Sequence, residues 1–281
     1  MTTQQQLKAI VRDKYTEIAK QEKSVNQSSC CGAGGCSTEV YNIMSDDYTG
    51  LQGYQPDADL GLGCGLPTQF AHIQPGDTVI DLGSGAGNDC FIARAATGAT
   101  GKVIGIDFTP AMIEKASANA EKLGFNNVEF RLGDIENMPV TAQVADVIVS
   151  NCVLNLVPDK DAVFRDMYRV LKPGGHISVS DVVLEGELPE GLRTDAEMYA
   201  GCVSGAIQKE VYLELLQHNG FTNITIQKEK PIIIPDDILQ HYLSATAIED
   251  FKNGSSGIFS ITVYAEKPLT EKQCTPGGGC C

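Results

Sequence analysis

The chain has 281 residues, 42% apolar and 20% charged, which excludes a disordered polymer and leaves enough length to bury a sizeable core. Lys and Arg total 21 against 36 Asp and Glu, a formal charge of -15, and this acidic balance without a basic stripe argues against nucleic acid and against an anionic membrane surface as partners. No apolar stretch approaches the ~20 residues that span a bilayer.

In chain order, residues 1–20 are polar and lack the apolar h-region of a signal peptide, so the expected location is cytoplasmic. In that reducing compartment the ten cysteines are expected to be free for metals or chemistry rather than paired as disulfides. The four His, at 72, 176, 218 and 241, have no ligand-like spacing, so a soft ion would be held by sulfur. Residues 4–22 carry an interrupted helical pattern through Leu7, Ile10, Val11, Tyr15 and Ile18. The run from Ser28 through Cys30, Cys31 and Cys36 is rich in Gly, Ser and Cys and reads as loop, as does the Gly-rich stretch 45–70.

From residue 76 the pattern becomes regular. Thr78–Leu82 reads as a strand, followed by the turn Gly83-Ser84-Gly85-Ala86-Gly87 and a helix over Cys90–Ala96. Lys102–Asp107 is a second strand, with Thr109 as N-cap and Pro110 opening a helix that stops at Gly124. Val128–Leu132 and Ala145–Ser150 are further strands, and Asp161–Leu171 is a helix ended by Lys172-Pro173-Gly174-Gly175 ahead of a fifth strand over His176–Val183. Helices near 194–202 and 209–218 and strands near 221–228 and 258–266 complete the reading, and the tail from Cys274 to Cys280-Cys281 is flexible by composition. Strands alternating with helices predict an α/β fold with a doubly wound, mostly parallel sheet.

A Gly-rich turn after the first strand lets a ligand approach the backbone at a helix N-terminus, at the carboxyl ends of the strands. Asn88 stands where the dinucleotide fingerprint requires its third Gly, which disfavours a nicotinamide cofactor. Asp107, at the end of the second strand, is placed to accept hydrogen bonds from two ribose hydroxyls, and Asp134 lies at the same edge. Taken in order, Asp81-Leu82-Gly83-Ser84-Gly85-Ala86-Gly87, Asp107, Gly133-Asp134-Ile135 and Leu171-Lys172-Pro173-Gly174-Gly175 resemble a class I S-adenosylmethionine-dependent methyltransferase over roughly residues 65–183. The resemblance implies S-adenosylmethionine as cofactor. Gly83, Gly85 and Gly87 would pack on its methionine part, Asp107 would hold the ribose, Met112 would flank the adenine and Asp134-Ile135 would meet the adenine edge. Asp81 and Asn151 complete the expected cofactor set.

The acceptor must be read outside that core. Cys152 follows the fourth strand, Cys64 sits between Gly63 and Gly65 with little apolar packing expected, and Cys202 lies beyond the fifth strand. Cys90, in an apolar helical run, reads as a small buried core residue. The segments Gly63-Cys64-Gly65, Asn151-Cys152-Val153-Leu154-Asn155 and Gly201-Cys202-Val203-Ser204-Gly205-Ala206, with an upstream cysteine, resemble the arsenite methyltransferases over about residues 10–230. That resemblance implies trivalent arsenic bound by three or four cysteines beside the cofactor: Cys64, Cys152, Cys202 and one of Cys30, Cys31 or Cys36, of which Cys31 is favoured. It further implies methylation of arsenite or its thiol conjugates for detoxification, thiolates favoured by the cationic cofactor, and reduction through thioredoxin or glutathione with Cys31 and Cys64 as a redox pair. The tail pair Cys280-Cys281 would be an accessory arsenic-capturing element.

The organisation expected is an N-terminal helix and Cys-rich loop over 1–65, an S-adenosylmethionine-binding core over 66–185, a C-terminal arsenic-binding region over 186–273 and the tail 274–281, in a monomer. Two alternatives stay open: a methyltransferase of a small organic acceptor, against which 6% aromatics and no Trp weigh, and a protein that binds and sequesters arsenic.

Overall fold

In the computed structural model the described residues are 4–21, 44, 46–193, 202–254 and 256–269. Helix α1 (Gln4–Lys20) buries Val11, Ile18 and Ala19, and after a Gly-rich connection the short helix α2 (Pro67–Phe70) starts at the proline, whose fixed φ suits a first turn. The expected alternation then appears. Strands β1 (Thr78–Leu82), β2 (Lys102–Asp107), β3 (Val128–Leu132), β4 (Ala145–Asn151), β5 (Leu171–Glu185), β6 (Thr222–Pro231) and β7 (Gly257–Glu266) form one sheet in the order β3-β2-β1-β4-β5-β7-β6. The first five strands are mutually parallel, while β7 runs antiparallel to both β5 and β6.

Helices α3 (Asn88–Thr97), α4 (Pro110–Leu123), α5 (Lys160–Val170), α6 (Glu190–Arg193), α7 (Lys209–His218), α8 (Asp236–Leu239) and α9 (Ala245–Asn253) follow in chain order. Side chains alternate across each strand, so each strand feeds two cores. Ile80, Ile104, Ile148 and Ile177 face Phe164 and Met167 of α5 and Tyr212 of α7, with Phe164 and Tyr212 edge to face at 5.3 Å. Val79, Val103, Val147 and Val149 face Cys90 and Phe91 of α3 and Met112 and Ala120 of α4. A third cluster, at the carboxyl end of β4 and around the far half of β5, joins Val11, Met44, Leu156, Val182 and Leu184 to three cysteines.

Differences from the expected elements have local causes. Lys172-Pro173-Gly174-Gly175 lies inside β5: Leu171 already pairs with Ala145, and the extra residues form an irregularity before Val147 meets His176. Gly174 N–H bonds the Lys267 carbonyl at 2.9 Å, and Lys267 N–H returns to Gly175 at 2.8 Å, which gives those polar groups partners. Thr109 occupies the N-cap of α4, yet its hydroxyl caps nothing; its N–H instead reaches the Asp107 carboxylate at 2.8 Å. The stretch after 186 supplies β6 and β7 to the same sheet, so it is continuous with the core. Most of the helix expected near 194–202, and the tail 274–281, fall outside the described residues. Among the described residues no helix is long and apolar enough to cross a membrane.

Candidate active site

The strand order reverses beside β1, and there a cleft opens at the carboxyl ends of β1, β2 and β4. Its floor is the turn after β1, held down by the N–H groups of Gly83 and Ser84 on the Ile106 carbonyl at 2.8 and 3.0 Å. The three glycines there have different roles. A Cβ on Gly85 would meet nothing within 4 Å, so this backbone faces open space, whereas one on Gly83 would run into Val153. A Cβ on Gly87 would lie 2.9 Å from the rings of Phe91 and Phe130, and Gly87 does not line the cleft. Its φ of 98° makes the turn into α3, so its role is in the fold rather than at the ligand.

Buried acids surround that floor. Asp107 accepts from Gly85 N–H at 3.0 Å and Thr109 N–H at 2.8 Å, and burial raises its carboxyl against the pull of those backbone donors. Asp81 accepts from the Cys90 thiol at 3.2 Å and is raised well above the usual carboxylate range by burial and by neighbouring Asp89. Asp89, in the first turn of α3, is pushed up to about 6 by burial, although Asn151, Tyr48 and Thr68 all donate to it. Burial disfavours the charged form of all three acids, and a cation entering this space would restore it. Asp134 and Ile135 form another wall, where Asp134 meets Lys8 of α1 at 2.6 Å. Met112 is wholly buried among α3 and α4 side chains and does not line the cleft, because the residue after Pro110-Ala111 points down the core face of α4.

The thiols share one cluster at the far wall, although among the described residues no three His, Cys, Asp or Glu side chains stand ready-made to hold a metal ion. Cys64, Cys152 and Cys202, from three distant segments, are all buried in the third apolar cluster, and Cys152 also lines the cleft. The Cys202 thiol donates to the Cys152 carbonyl at 3.0 Å, and the Cys152 thiol interacts with both other thiols. Cys152 and Cys202 have φ of 60° and 65°, a left-handed backbone that costs a non-glycine residue of order 1 kcal/mol and collects at functional sites. Neither Cys64 nor Cys152 is primed as a thiolate. Burial pushes Cys64 up, partly offset by its interaction with Cys152, while Cys152 is held well above its usual range by Cys202 and Cys64 and then by burial. Cys64 is fully buried despite its glycine neighbours, because those glycines let its loop lie on the sheet. A Cβ on Gly65 would sit 2.5 Å from Ser180 Oγ. Ser260 Oγ donates to the Cys64 carbonyl at 2.5 Å and Ser178 Oγ to the Pro67 carbonyl at 2.8 Å.

Asn151 lines the cleft, but its amide is engaged with this loop: Oδ1 accepts from Cys64 N–H at 3.0 Å and Nδ2 donates to the Gly65 carbonyl at 2.9 Å. Tyr48 and Asp89, which sequence reasoning passed over, complete the corner; the acid in the first turn after a Gly-rich loop is the signal that Asp89 offered. Cys30, Cys31, Cys36, Cys280 and Cys281 lie outside the described residues.

The cleft suits S-adenosylmethionine on its own chemistry. Ser84 Oγ, Asn88 Oδ1 and Thr109 Oγ1 are buried there without partners, polar atoms that a ligand would satisfy. Asp107 would take the ribose hydroxyls, and Asp81 and Asp89 would face the cationic amino acid end. Comparisons with known proteins agree. A family described as a methyltransferase domain matches residues 73–220. An arsenite methyltransferase of Halobacterium salinarum is 39% identical, covering 95% of this chain and 68% of that protein. The human arsenite methyltransferase is 35% identical, covering 83% of this chain and 66% of its own length, so the chain spans about two thirds of these relatives. A crystal structure of an arsenic(III) S-adenosylmethionine methyltransferase from Chlamydomonas reinhardtii superposes with a TM-score of 0.63 at 33% identity, over 74% of this chain and 69% of that one. With a doubly wound sheet, a cation-seeking cleft and identity sustained over nearly the whole chain, this protein belongs to the arsenite methyltransferase family.

Proposed function

We propose that this protein transfers methyl groups from S-adenosylmethionine to trivalent arsenic held by Cys64, Cys152 and Cys202. The observation that carries the reading is the gathering of three thiols from remote segments in one apolar cluster at the cleft wall. Arsenous acid is neutral at pH 7, so a chain charge of -15 does not repel it. Each neutral thiol displaces one hydroxyl and passes its proton to it, so three thiols and arsenous acid give a tris-thiolate arsenic and three waters with no net proton released. This fits Cys64, raised by burial, and Cys152, raised by its neighbouring thiols and then by burial.

Three sulfurs leave arsenic one lone pair on the side away from them. When bound, S-adenosylmethionine supplies a methyl group activated by its sulfonium charge. The chain's contribution is positioning: Asp81 and Asp89 hold the cation, and the cysteines fix the arsenic beside it, which is where most of the rate of such a displacement arises. No side chain acts as base, because the attacking pair carries no proton. Methylation formally oxidises arsenic, and a dithiol returns it to the trivalent state; Cys31 with Cys64, reset by thioredoxin or glutathione, takes that part in a cytoplasmic monomer whose role is detoxification.

Incubation with S-adenosylmethionine, a thiol and arsenite, followed by separation of arsenic species, tests the reading. Methylated arsenicals are expected. A protein that retains arsenite unchanged, or ignores it while methylating an organic acceptor, contradicts it.

A further inference from the structure

We propose that Asn151 is the positioning residue for Cys64: its side-chain amide brackets the backbone on both sides of that cysteine and fixes the thiol against Cys152. The inference rests on Cys64 being an arsenic ligand, and it assigns Asn151 to the thiol site instead of to the cofactor.

An amide can accept and donate at once, and both functions are used. Oδ1 takes the Cys64 N–H at 3.0 Å, while Nδ2, with two hydrogens to give, lies within hydrogen-bond distance of the Gly65 carbonyl at 2.9 Å, of Asp89 at 3.3 Å and of the Tyr48 hydroxyl. The partners fix which atom is nitrogen, since two of the other three can only accept. The Cys64 carbonyl is held from the opposite side by Ser260 at 2.5 Å, so both backbone polar groups of Cys64 end on side chains of the sheet. Asn151 is the last residue of β4 and Cys152 follows it directly, so one rigid strand end sets both thiols. Gly63 is part of the same device. Its Cβ would fall 2.6 Å from Asn151 Nδ2, so only glycine lets the loop close onto the amide.

Asp in place of Asn keeps the acceptor but loses the donor and adds a carboxylate beside Asp89. Ala removes the bracket. The loop then lifts from the strand, and the thiol separates from its partners while the strands and the other buried cysteine, Cys90, stay in place.

The test measures iodoacetamide labelling of each cysteine, by peptide mass spectrometry, in wild type, Asn151→Ala and Gly63→Ala, alongside arsenite titration without cofactor. Labelling of Cys64 is expected to rise at least about tenfold in both variants with Cys90 still protected, and arsenite affinity to fall about tenfold or more, as befits loss of two partly buried hydrogen bonds. In turnover, the KM for arsenite should rise far more than the KM for the cofactor, a split that general loosening would not give. Asn151→Asp should resemble Asn151→Ala. Cys64 as protected as in wild type, or Cys90 exposed to the same degree, overturns the proposal. Gly63→Ala carries the test alone if Asn151→Ala does not fold. Because labelling needs no arsenic, wild-type protein that fails to bind arsenite would count against the functional reading while labelling still decides the role of Asn151.

Discussion

Replacing Asp89 by Asn separates the stability of the empty cleft from its affinity for a cation. The Asp89 carboxyl is raised from its ordinary 3.8 to about 6 by burial. A folded-state value above the unfolded one means the protonated acid favours the fold; that advantage is complete below pH 3.8 and lost as pH rises through about 6. The full difference corresponds to roughly 3 kcal/mol, of which roughly 1.4 kcal/mol falls between pH 5 and pH 8. Asn removes this pH-dependent cost but presents one acceptor to the donors Tyr48, Asn151 and Thr68, a mismatch of about 1–2 kcal/mol that is the same at both pH values. The melting temperature of the variant, measured against wild type, should therefore rise by roughly 3–6 °C on going from pH 5 to pH 8. S-adenosylmethionine affinity should move the other way, weakened about tenfold at pH 8 and converging with wild type near pH 5, where Asp89 is already protonated. A melting difference independent of pH would refute the burial argument, and unchanged affinity at pH 8 would refute the role of Asp89 toward the cation.

Cys152→Ser and Cys202→Ser should each lower arsenite methylation about a hundredfold or more while leaving cofactor affinity largely intact; Ser at 202 can still donate to the Cys152 carbonyl, so the fold should hold within about 1 kcal/mol, as calorimetry and melting would check. Because neutral thiols pass their protons to departing hydroxide, the heat of arsenite binding should not depend on the ionisation enthalpy of the buffer, and a slope across buffers would indicate thiols that enter ionised. Gly85→Ala should block the cofactor with little structural clash, since its Cβ points into open space, whereas Gly87→Ala should destabilise the fold through the Phe91 and Phe130 rings. Equal loss of stability in the two variants would remove the distinction drawn between those glycines.

Strands β1, β2 and β4 were legible because Val and Ile dominate short runs bounded by turn residues, and β1, β2 and β3 match their expected limits. Helix α4 matched because Pro110 opens it and Gly124, with φ of 67°, closes it. The short helix α8 and the helix α9 were not found, since α8 is a four-residue turn after Pro235 and α9 is nine residues long with only Ile248 buried, too short for a repeating pattern to stand out. The role of β5 and β7 was hidden for a different reason. Ser178 and Ser180 alternate with Ile177 and Val179, and Ser260 and Thr262 with Ile261 and Val263, a pattern that in sequence reads as one wet face. In the fold that face is buried under the Cys64 loop: Ser178 and Ser260 bind its carbonyls, and Ser180 and Thr262 bind each other. Convergence of Cys64, Cys152 and Cys202 could be argued only from resemblance, because no local spacing links loops so far apart. Met112 and Gly87 do not line the open cleft, because a motif fixes the order of residues along the chain and not the face each presents.

Arsenic K-edge absorption of the arsenite-loaded protein reads out whether three cysteine sulfurs hold the arsenic that receives the methyl group. Three sulfur neighbours and no oxygen are predicted for wild type, with one sulfur lost in Cys202→Ser. An oxygen-dominated shell in wild type, or a shell unchanged by that substitution, contradicts the account.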